Sequence, residues 1–188
     1  NTGGVTVAKS EDGISRSIRR VIEQQSFAWP VLVTTSDHPL LTVQMIEEFI
    51  ANAHDDLAIA MVERQNMLAS FPDAKRTWLR FADGAWSGAN LFALRSDNAL
   101  KALDLWASVE KDRKKAWKLF LHFGPYLAFR AITRTIGLRA ALVKAGRRLG
   151  MSAKLVQMSD PIAAIDVDKV TDHALAEHIL EKRSAAHS

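Results

Sequence analysis

The sequence predicts an α/β protein in which helices cover both faces of a mixed β-sheet. Its 188 residues are 48% hydrophobic and 24% charged, the composition of an ordinary globular domain with enough chain to bury a core. Short β-branched runs alternate with segments of helical period, which favours a mostly parallel sheet. Asp83-Gly84 separates two strand-like runs and predicts a hairpin, which makes the sheet mixed. We expect a single domain over 1–188 with a helical insertion at about 111–149.

The elements of the first half follow from periodicity and turn signals. Residues 15–25 have the period of a helix, and the run 31–35 resembles a short buried strand. Thr42 is expected to cap a helix over 43–53, and 57–62 reads as the next strand. The apolar face predicted for the helix after Thr42 consists of Val43, Ile46, Phe49 and Ile50.

The second half is predicted in the same way. Strands are expected over 77–82 and 85–94, joined by the hairpin turn, and again over 154–158 and 162–167. Between them lie a helix with Leu100, Leu103 and Trp106 on one face and the helical stretch at 111–149, which is interrupted at Gly124-Pro125 and Gly137. A helix over 171–182 closes the chain.

The charge is distributed unevenly. Residues 111–148 contain eleven Lys or Arg and one acid, whereas the rest of the chain contains fourteen basic and twenty acidic residues. A basic block inside an acidic body indicates an anionic partner, such as a phosphate, a membrane headgroup or a nucleic acid. The alternative is an ordinary solvated helical face.

Several functional classes are excluded by what this sequence lacks. It has no cysteine, which excludes disulfides, zinc–thiolate sites and thiol nucleophiles in this chain. It contains no Gly-x-Ser-x-Gly, no Gly-x-Gly-x-x-Gly, no Walker loop and no His-x-x-x-His pair; His38 and His54 have no partner at ligand spacing. The chain opens with Asn1 rather than Met and has no basic-then-apolar leader. We therefore expect the remainder of a longer, cytoplasmic protein.

The strongest chemical motif is the run Thr34-Thr35-Ser36-Asp37-His38-Pro39. Open α/β sheets bind ligands just past the carboxyl ends of their strands, where Asp37 is predicted to lie. A carboxylate there suits Mg²⁺, which takes one or two protein carboxylates together with waters and phosphate oxygens. Alternatively, Asp37 only caps the turn before the Thr42 helix.

Two further motifs are weaker. In the run 164–172, strand alternation would place Asp166 and Asp168 on one side, where two carboxylates repel unless a cation lies between them. The alternative is a charged edge strand facing solvent. In the run 86–92, Gly88 would permit close approach of a ligand to the backbone and Asn90 offers a donor and an acceptor, although small residues there also mark bulges.

Taken together and in this order, these motifs resemble the nucleotidyltransferases of the molybdenum-cofactor guanylyltransferase (MobA-like) type. The run "TSDHPLL" (35–41) is similar to the family's strand-end Asp-x-Pro motif, and "DVDKVTDHALAE" (166–177) to its closing motif. "SGANLFAL" (87–94) is similar to the acceptor-binding strand, and "DGISRSIRRVIE" (12–23) to the stretch that contacts the base. The resemblance implies a glycosyltransferase-A-like, Rossmann-like fold of the nucleotide-diphospho-sugar transferase type.

The resemblance also implies an activity and a set of site residues. The activity is Mg²⁺-dependent transfer of a nucleotide from an NTP to a phosphorylated small molecule, with release of pyrophosphate and without nucleic acid as a partner. Asp37 and Asp168 would hold the metal, with Asp166 as a further candidate or as a residue that orients them. The nucleotide-binding candidates are Gly13, Ser17 and Ser36. The acceptor-binding candidates are Gly88 and Asn90. The basic stretch, independently of the resemblance, offers Arg113, Lys114 or Lys115 for the acceptor's phosphate.

The sequence departs from the family pattern in two places. Val170 stands where the closing motif usually has Pro, and the Gly-rich phosphate loop that normally precedes residue 12 is not found in these 188 residues. Two explanations stay open at this point. Either the loop is disordered or removed in this chain, or the protein is a degenerate relative that binds without catalysis.

Two non-catalytic alternatives use the basic stretch instead. One is a module whose basic insert binds a nucleotide or a polyanion, with affinity that falls steeply with salt. The other is peripheral attachment to an anionic membrane through the amphipathic segment 117–145. Against both stands the ordinary expectation that the apolar face of this segment packs on the sheet or on a second subunit of a homodimer.

Overall fold

The computed structural model describes residues 4–25, 28–74, 76–110 and 123–185. Seven helices and five strands occur in these ranges. The helices are α1 (Ile14–Gln25), α2 (Val43–Asn52), α3 (Arg64–Ser70), α4 (Leu100–Glu110), α5 (Pro125–Ile132), α6 (Leu138–Leu149) and α7 (Val170–Ala185). The strands are β1 (Val31–Thr34), β2 (Leu57–Glu63), β3 (Leu79–Phe81), β4 (Gly84–Leu94) and β5 (Ala153–Gln157). Asp97–Ala99 and Pro161–Ala164 form 3₁₀ turns.

The five strands form one mixed sheet in the order β1-β4-β2-β5, with β3 paired to β4. Strand β4 runs antiparallel to β1, β2 and β3, whereas β2 and β5 are parallel. Each strand–helix–strand connection lays its helix on a face of the sheet, because only there can the apolar stripe of the helix be buried. The predicted mixed α/β fold is confirmed.

Two hydrophobic layers cover the two faces of the sheet. On one face, α2, α3 and α7 bury apolar side chains that include Phe49, Met67 and Ile179. On the other face, α1 and α4 pack around Ile22 and Leu94, and α6 packs around Trp86. The protein is therefore a three-layer α/β/α structure in the part of the chain that is described.

Three sequence predictions about individual elements are wrong. The segment 162–167 is not a strand, because Pro161 opens a 3₁₀ turn whose first amide, that of Ile162, donates to the Asp160 carboxylate at 2.8 Å. The face of α2 is rotated: Met45 and Phe49 are buried, whereas Val43 and Ile50 are 65% and 42% exposed. Trp106 is also exposed instead of packing beside Leu100 and Leu103.

Other predictions hold with small shifts. Thr42 caps α2 by accepting the amide of Met45 at 3.3 Å. The hairpin turn falls on Ala82-Asp83 rather than Asp83-Gly84, because Phe81 pairs directly with Gly84, whose φ is +125°. The interruptions predicted at Gly124-Pro125 and Gly137 coincide with the starts of α5 and α6.

The hairpin turn also anchors α6. Asp83 Oδ1 accepts the amide of Leu138 at 2.7 Å, and Oδ2 accepts the amide of Arg139 at 3.3 Å. A carboxylate at a helix N-terminus satisfies amides that have no partner within the helix. A Cβ at Gly137 would lie only 2.5 Å from Oδ2 of Asp83, so the contact requires glycine there.

We therefore expect Asp83→Ala to destabilise the fold by about 1–2 kcal/mol, the cost of losing a helix cap together with the long hydrogen bond, at 3.3 Å, that Asp83 accepts from the Trp86 indole. Urea unfolding followed by tryptophan fluorescence measures this change. The matched control is Asp73→Ala, which removes an exposed carboxylate that caps no helix and should shift stability by less than about 0.5 kcal/mol. Equal effects of the two substitutions would show that Asp83 does not anchor α6.

Candidate functional site

The candidate site lies where β1 ends. Leu91 of β4 is paired with Thr34, the last residue of β1, and the chain then turns through Ser36 and Asp37. The side chain of Asp37 is half-buried, and its Oδ1 accepts a short hydrogen bond from the hydroxyl of Thr35. The carboxylate is thus held in one orientation at the strand end, where the sequence predicted it.

A bulge in β4 brings a second side chain to this point. Ile59 of β2 pairs with Phe92 and Met61 pairs with Gly88, so three residues of β4 stand opposite Ala60 alone. Asn90 is the middle residue of the bulge and has φ +49°. Asparagine tolerates this left-handed conformation better than most residues, and bulges of this kind re-aim a side chain.

The re-aimed Asn90 binds Asp166. Its Nδ2 donates to Oδ2 of Asp166 at 2.8 Å, and Oδ1 of the same carboxylate lies 2.6 Å from Nη2 of Arg76. The contact between Arg76 and Asp166 is an ion pair only, because the groups are not aligned for a hydrogen bond and Oδ1 of Asp166 accepts none. Both side chains are largely buried, at 14% exposed for Arg76 and 15% for Asp166, so the pair is shielded from solvent.

The segment that carries Asp166 is also tied to the β1 end through the backbone. The amide of Val167 donates to the carbonyl of Asp37 at 2.9 Å. Asp168 follows directly and is exposed, in contrast to the nearly buried Asp166. The expected alternation, with both carboxylates on one side, therefore fails because this segment is not a strand. Asp172 accepts the amide of Lys169 at 3.0 Å and fixes the start of α7.

His38 completes the cluster. The residue is 7% exposed, and neither ring nitrogen has a well-directed hydrogen-bond partner among the described residues. Burial lowers the pKa of the His38 imidazole, and this effect outweighs the opposing fields of Asp166 and Asp37 and the nearby backbone of Ala163. Arg76 lowers the pKa further, so His38 is neutral at pH 7.

The cluster of Asp37, His38, Arg76, Asn90 and Asp166 is therefore only partly the one that the sequence predicted. Asp37, Asn90 and Asp166 were candidates and are brought together. His38 and Arg76 were missed. His38 had been set aside because it has no partner at ligand spacing in the sequence, and no local pattern distinguishes Arg76 from the other surface-type cations of the chain.

The remaining candidates lie elsewhere or outside the described ranges. Gly13 and Ser17 are at the start of α1, where the Ser17 hydroxyl donates to the Gly13 carbonyl at 2.8 Å. Glu110 of α4 accepts the amide of Ile14 at 2.8 Å, so a carboxylate already occupies this helix end. Ser36 is exposed in the turn before Asp37. Arg113, Lys114 and Lys115 lie outside the described residues.

Gly88 faces open space. A Cβ built there would have no neighbour within 4 Å, so no packing within the described structure demands glycine at this position. A separate open cavity of about 400 Å³ lies between residues 70–74, which lead towards Arg76, and the first turns of α7, which follow Asp168. None of the five clustered side chains lines this cavity.

The site carries charges suited to a cation. Asp37, Asp166 and Asp168 supply three carboxylates to this end of the sheet, and Arg76 neutralises one of them. Within the described ranges, no group of three or more His, Asp or Glu side chains is close enough to hold a metal by itself. An ion bound here would therefore need further ligands from water or from a substrate.

The chain is similar in fold to a hypothetical transferase from Thermus thermophilus. The two structures superpose with a TM-score of 0.75 and 27% sequence identity, over 87% of this chain and 70% of that chain. No protein-family model matches the sequence, and no curated protein matches it. The shared fold with a chain described as a transferase is shown, whereas membership of the guanylyltransferase-like family stays a prediction.

The structure predicts a pH-dependent stability from His38. Because its pKa is lower in the folded than in the unfolded protein, the unfolded chain binds the proton first as the pH falls. The free energy of unfolding contributed by His38 is therefore fully present above about pH 6.5 and is lost below it. In His38→Phe the free energy of unfolding should depend less on pH between about pH 7.5 and pH 5, roughly the range in which histidine titrates. Urea unfolding at several pH values measures this change.

His54 supplies the matched control, because it is exposed on the chain surface. His54→Phe should leave the pH profile of unfolding as it is in the unaltered protein. If the profile were equally steep with and without the His38 imidazole, another group would be responsible.

The strained backbone at Asn90 gives a second prediction. Asn90→Ala loses the hydrogen bond to Asp166. It also places alanine, which adopts a positive φ less readily than asparagine, at φ +49°. Asn90→Gly loses the same hydrogen bond but relieves the strain. We therefore expect the glycine variant to be more stable than the alanine variant by about 1 kcal/mol in urea unfolding. Equal stabilities would show that the bulge relaxes on substitution.

Proposed function

We propose that this chain forms the metal-binding and acceptor-binding part of a Mg²⁺-dependent nucleotidyltransferase, which joins an NTP to a phosphorylated small molecule. The observation that carries the proposal is the meeting of Asp37, Arg76, Asn90 and Asp166 at the carboxyl end of β1. Ligands of open α/β sheets bind at such strand ends. The fold shared with a hypothetical transferase supports group transfer as the reaction class.

The donor set suits Mg²⁺. The ion needs only one or two protein carboxylates when phosphate oxygens and waters complete its octahedron. Asp37 is oriented by Thr35 through Oδ1, and its Oδ2 has no protein donor among the described residues, so this oxygen is available to a cation. Asp168 is exposed one residue past Val167, whose amide binds the Asp37 carbonyl. When bound, the ion would neutralise charge on the nucleotide phosphates.

Asp166 has a different role in this proposal. Both of its oxygens already contact cationic or amide nitrogens, those of Arg76 and Asn90. A carboxylate engaged in this way is a poor metal ligand unless it releases its partners. We therefore assign Asp166 as a positioning residue that holds the Val167-Asp168 segment against the β1 end, with Arg76 compensating its buried charge.

The chemistry requires alignment more than covalent participation by the protein. An oxygen of the acceptor's phosphate attacks the α-phosphorus of the NTP while the bond to the β-phosphate oxygen breaks, and pyrophosphate leaves. Asn90 uses its amide nitrogen on Asp166, which leaves its carbonyl oxygen for an acceptor hydroxyl. The open space at Gly88 allows the acceptor to approach the backbone.

The remaining nucleotide-binding roles, of Gly13, Ser17 and Ser36, are carried over from the resemblance, and at α1 they require Glu110 to leave the helix end that it occupies. On the charge of the basic stretch we assign Arg113, Lys114 or Lys115 to the acceptor's phosphate. A guanidinium can bind a phosphate through two parallel hydrogen bonds. We propose a cytoplasmic enzyme on the grounds of the resemblance.

The proposal predicts that Asp37 and Asp168 bind one ion. Mn²⁺ binding by the protein in the presence of CTP or GTP, followed by electron paramagnetic resonance, should weaken about tenfold or more in Asp37→Asn and in Asp168→Asn. The double variant should lose little more than either single one, because residues that act as a unit are not additive. Pyrophosphate release with a panel of sugar and polyol phosphates should follow the same pattern.

Asp97→Asn is the control, since it removes an exposed carboxylate on the turn before α4. It should bind Mn²⁺ as the unaltered protein does, and all variants should keep their thermal midpoints within a few degrees. Independent, multiplying losses at Asp37 and Asp168 would contradict a shared ion. Mn²⁺ binding that is unchanged in both variants would reject the metal site altogether.

A further inference from the structure

Helix α5 exposes an apolar ridge formed by Tyr126, Phe129 and Ile132. These side chains are 65%, 64% and 72% exposed, although residues of these types are usually buried in a folded domain. Their spacing of three residues places them along one side of the helix. The other side of α5 carries Leu127 and Ala128, which are buried, so the helix is packed and the ridge faces away from the protein.

Cations are frequent along the chain in and after α5. The sequence has no Asp or Glu between residues 113 and 159. The described part of this run carries Arg130, Arg134, Arg139, Lys144, Arg147, Arg148 and Lys154. The guanidinium of Arg130 lies 5.8 Å from the centre of the Tyr126 ring, a cation–π contact. The long aliphatic stems of such cations can cover apolar surface while the charge stays in water.

A groove between α5 and α6 joins the ridge to three cations of α6. This groove has a volume of about 300 Å³ and is lined by Tyr126, Leu127, Lys144, Arg147 and Arg148. Within the described ranges, no carboxylate forms an ion pair with any of these three cations. Tyr126 belongs to both the ridge and the groove, so the apolar and cationic parts form one continuous surface.

We propose that this α5–α6 surface binds an anionic lipid bilayer. The ridge would enter the boundary between headgroups and acyl chains, and the groove cations would contact the lipid phosphates. Short amphipathic helices with aromatic and aliphatic residues on one side and arginines beside them bind membrane interfaces in this way. The described residues include no helix that is long and apolar enough to cross a bilayer.

Two other partners fit the surface less well. A double-stranded nucleic acid would engage the cations but would leave Phe129 and Ile132 exposed. A single strand could stack bases on the aromatic rings of the ridge, but would leave the aliphatic Ile132, the most exposed of the three, uncovered. A second copy of the chain would cover the ridge, but a two-fold contact places the same patch on both sides. The unpaired groove cations of the two copies would then repel each other.

This inference is independent of the proposed function. The α5–α6 surface shares no residue with the cluster around Asp37, and among the described residues no hydrogen bond or ion pair of Asp37, Arg76, Asn90 or Asp166 reaches α5 or α6. Changes on the surface should therefore affect membrane binding without changing Mn²⁺ binding at Asp37. Failure of one proposal leaves the other standing.

The absence of cysteine allows insertion of the ridge to be measured directly. Ile132→Cys, labelled with an environment-sensitive nitrobenzoxadiazole dye, should shift its emission to the blue with vesicles of phosphatidylcholine and phosphatidylglycerol. Pure phosphatidylcholine vesicles should produce little shift. The matched control is labelled Val43→Cys on α2, where the native side chain is also exposed, at 65%; its emission should not change with either vesicle.

Vesicle flotation then tests the cations. Arg147→Ala combined with Arg148→Ala should lower the partition coefficient on the mixed vesicles roughly 25-fold, because each cation near an anionic surface contributes about fivefold. Arg64→Ala combined with Lys182→Ala removes two exposed cations elsewhere and should have little effect. Thermal melting checks that each variant is folded.

Three results would overturn the proposal. One is an unchanged emission of labelled Ile132→Cys on anionic vesicles. Another is binding to single-stranded RNA that is tighter than binding to vesicles and equally sensitive to the two arginines. The third is a concentration-dependent dimer in sedimentation velocity that Phe129→Ser and Ile132→Ser dissociate while vesicle binding is absent.

Discussion

The antiparallel strand β4 is the element on which the rest of the structure depends. It is eleven residues long and pairs with β1, β2 and β3, so it holds together strands that lie far apart in the sequence. Its buried side chains point to both faces of the sheet, where Leu91 belongs to the core on one face and Trp86 to the core on the other. Strand β4 is hydrogen-bonded along both of its edges. These bonds on either side of the bulge hold Asn90 in its left-handed conformation despite the strain.

The candidate site follows from that bulge. Asn90 is aimed past the end of β1, where it holds Asp166, and Asp166 in turn binds Arg76. The backbone bond between Val167 and Asp37 closes the connection across segments separated by 130 positions in the chain. A buried ion pair of this kind gives little net stability, but its loss leaves a charge unpaired. Its effect is to fix one arrangement of the loops around Asp37.

The cluster around Asp37 and the α5–α6 surface are organised differently. The cluster around Asp37 is built from Asn90 of β4 and from the loops that follow β1, precede β3 and precede α7. Asp37, Arg76, Asn90 and Asp166 each have a specific partner, whereas the His38 ring has none among the described residues. The α5–α6 surface is instead continuous, and its groove cations have no carboxylate partners in the described ranges. Specific partners suit recognition of a small substrate in a defined geometry, whereas distributed charge beside an apolar ridge suits an extended anionic surface.

The sequence by itself determined the mixed α/β class, most element positions, the cap at Thr42 and the strand-end position of Asp37. These features depend on period, turn chemistry and local hydrogen bonds, which neighbouring residues encode. It misplaced the buried face of α2 and made 162–167 a strand, because several apolar stripes are possible for one helix and Pro161 redirects the chain. Only the tertiary structure decided that Asp166 is buried against Arg76 while Asp168 is exposed, that His38 lies among them, and that Tyr126, Phe129 and Ile132 stay uncovered. Burial and pairing of such side chains are set by segments distant in the sequence, and no local pattern carries that information.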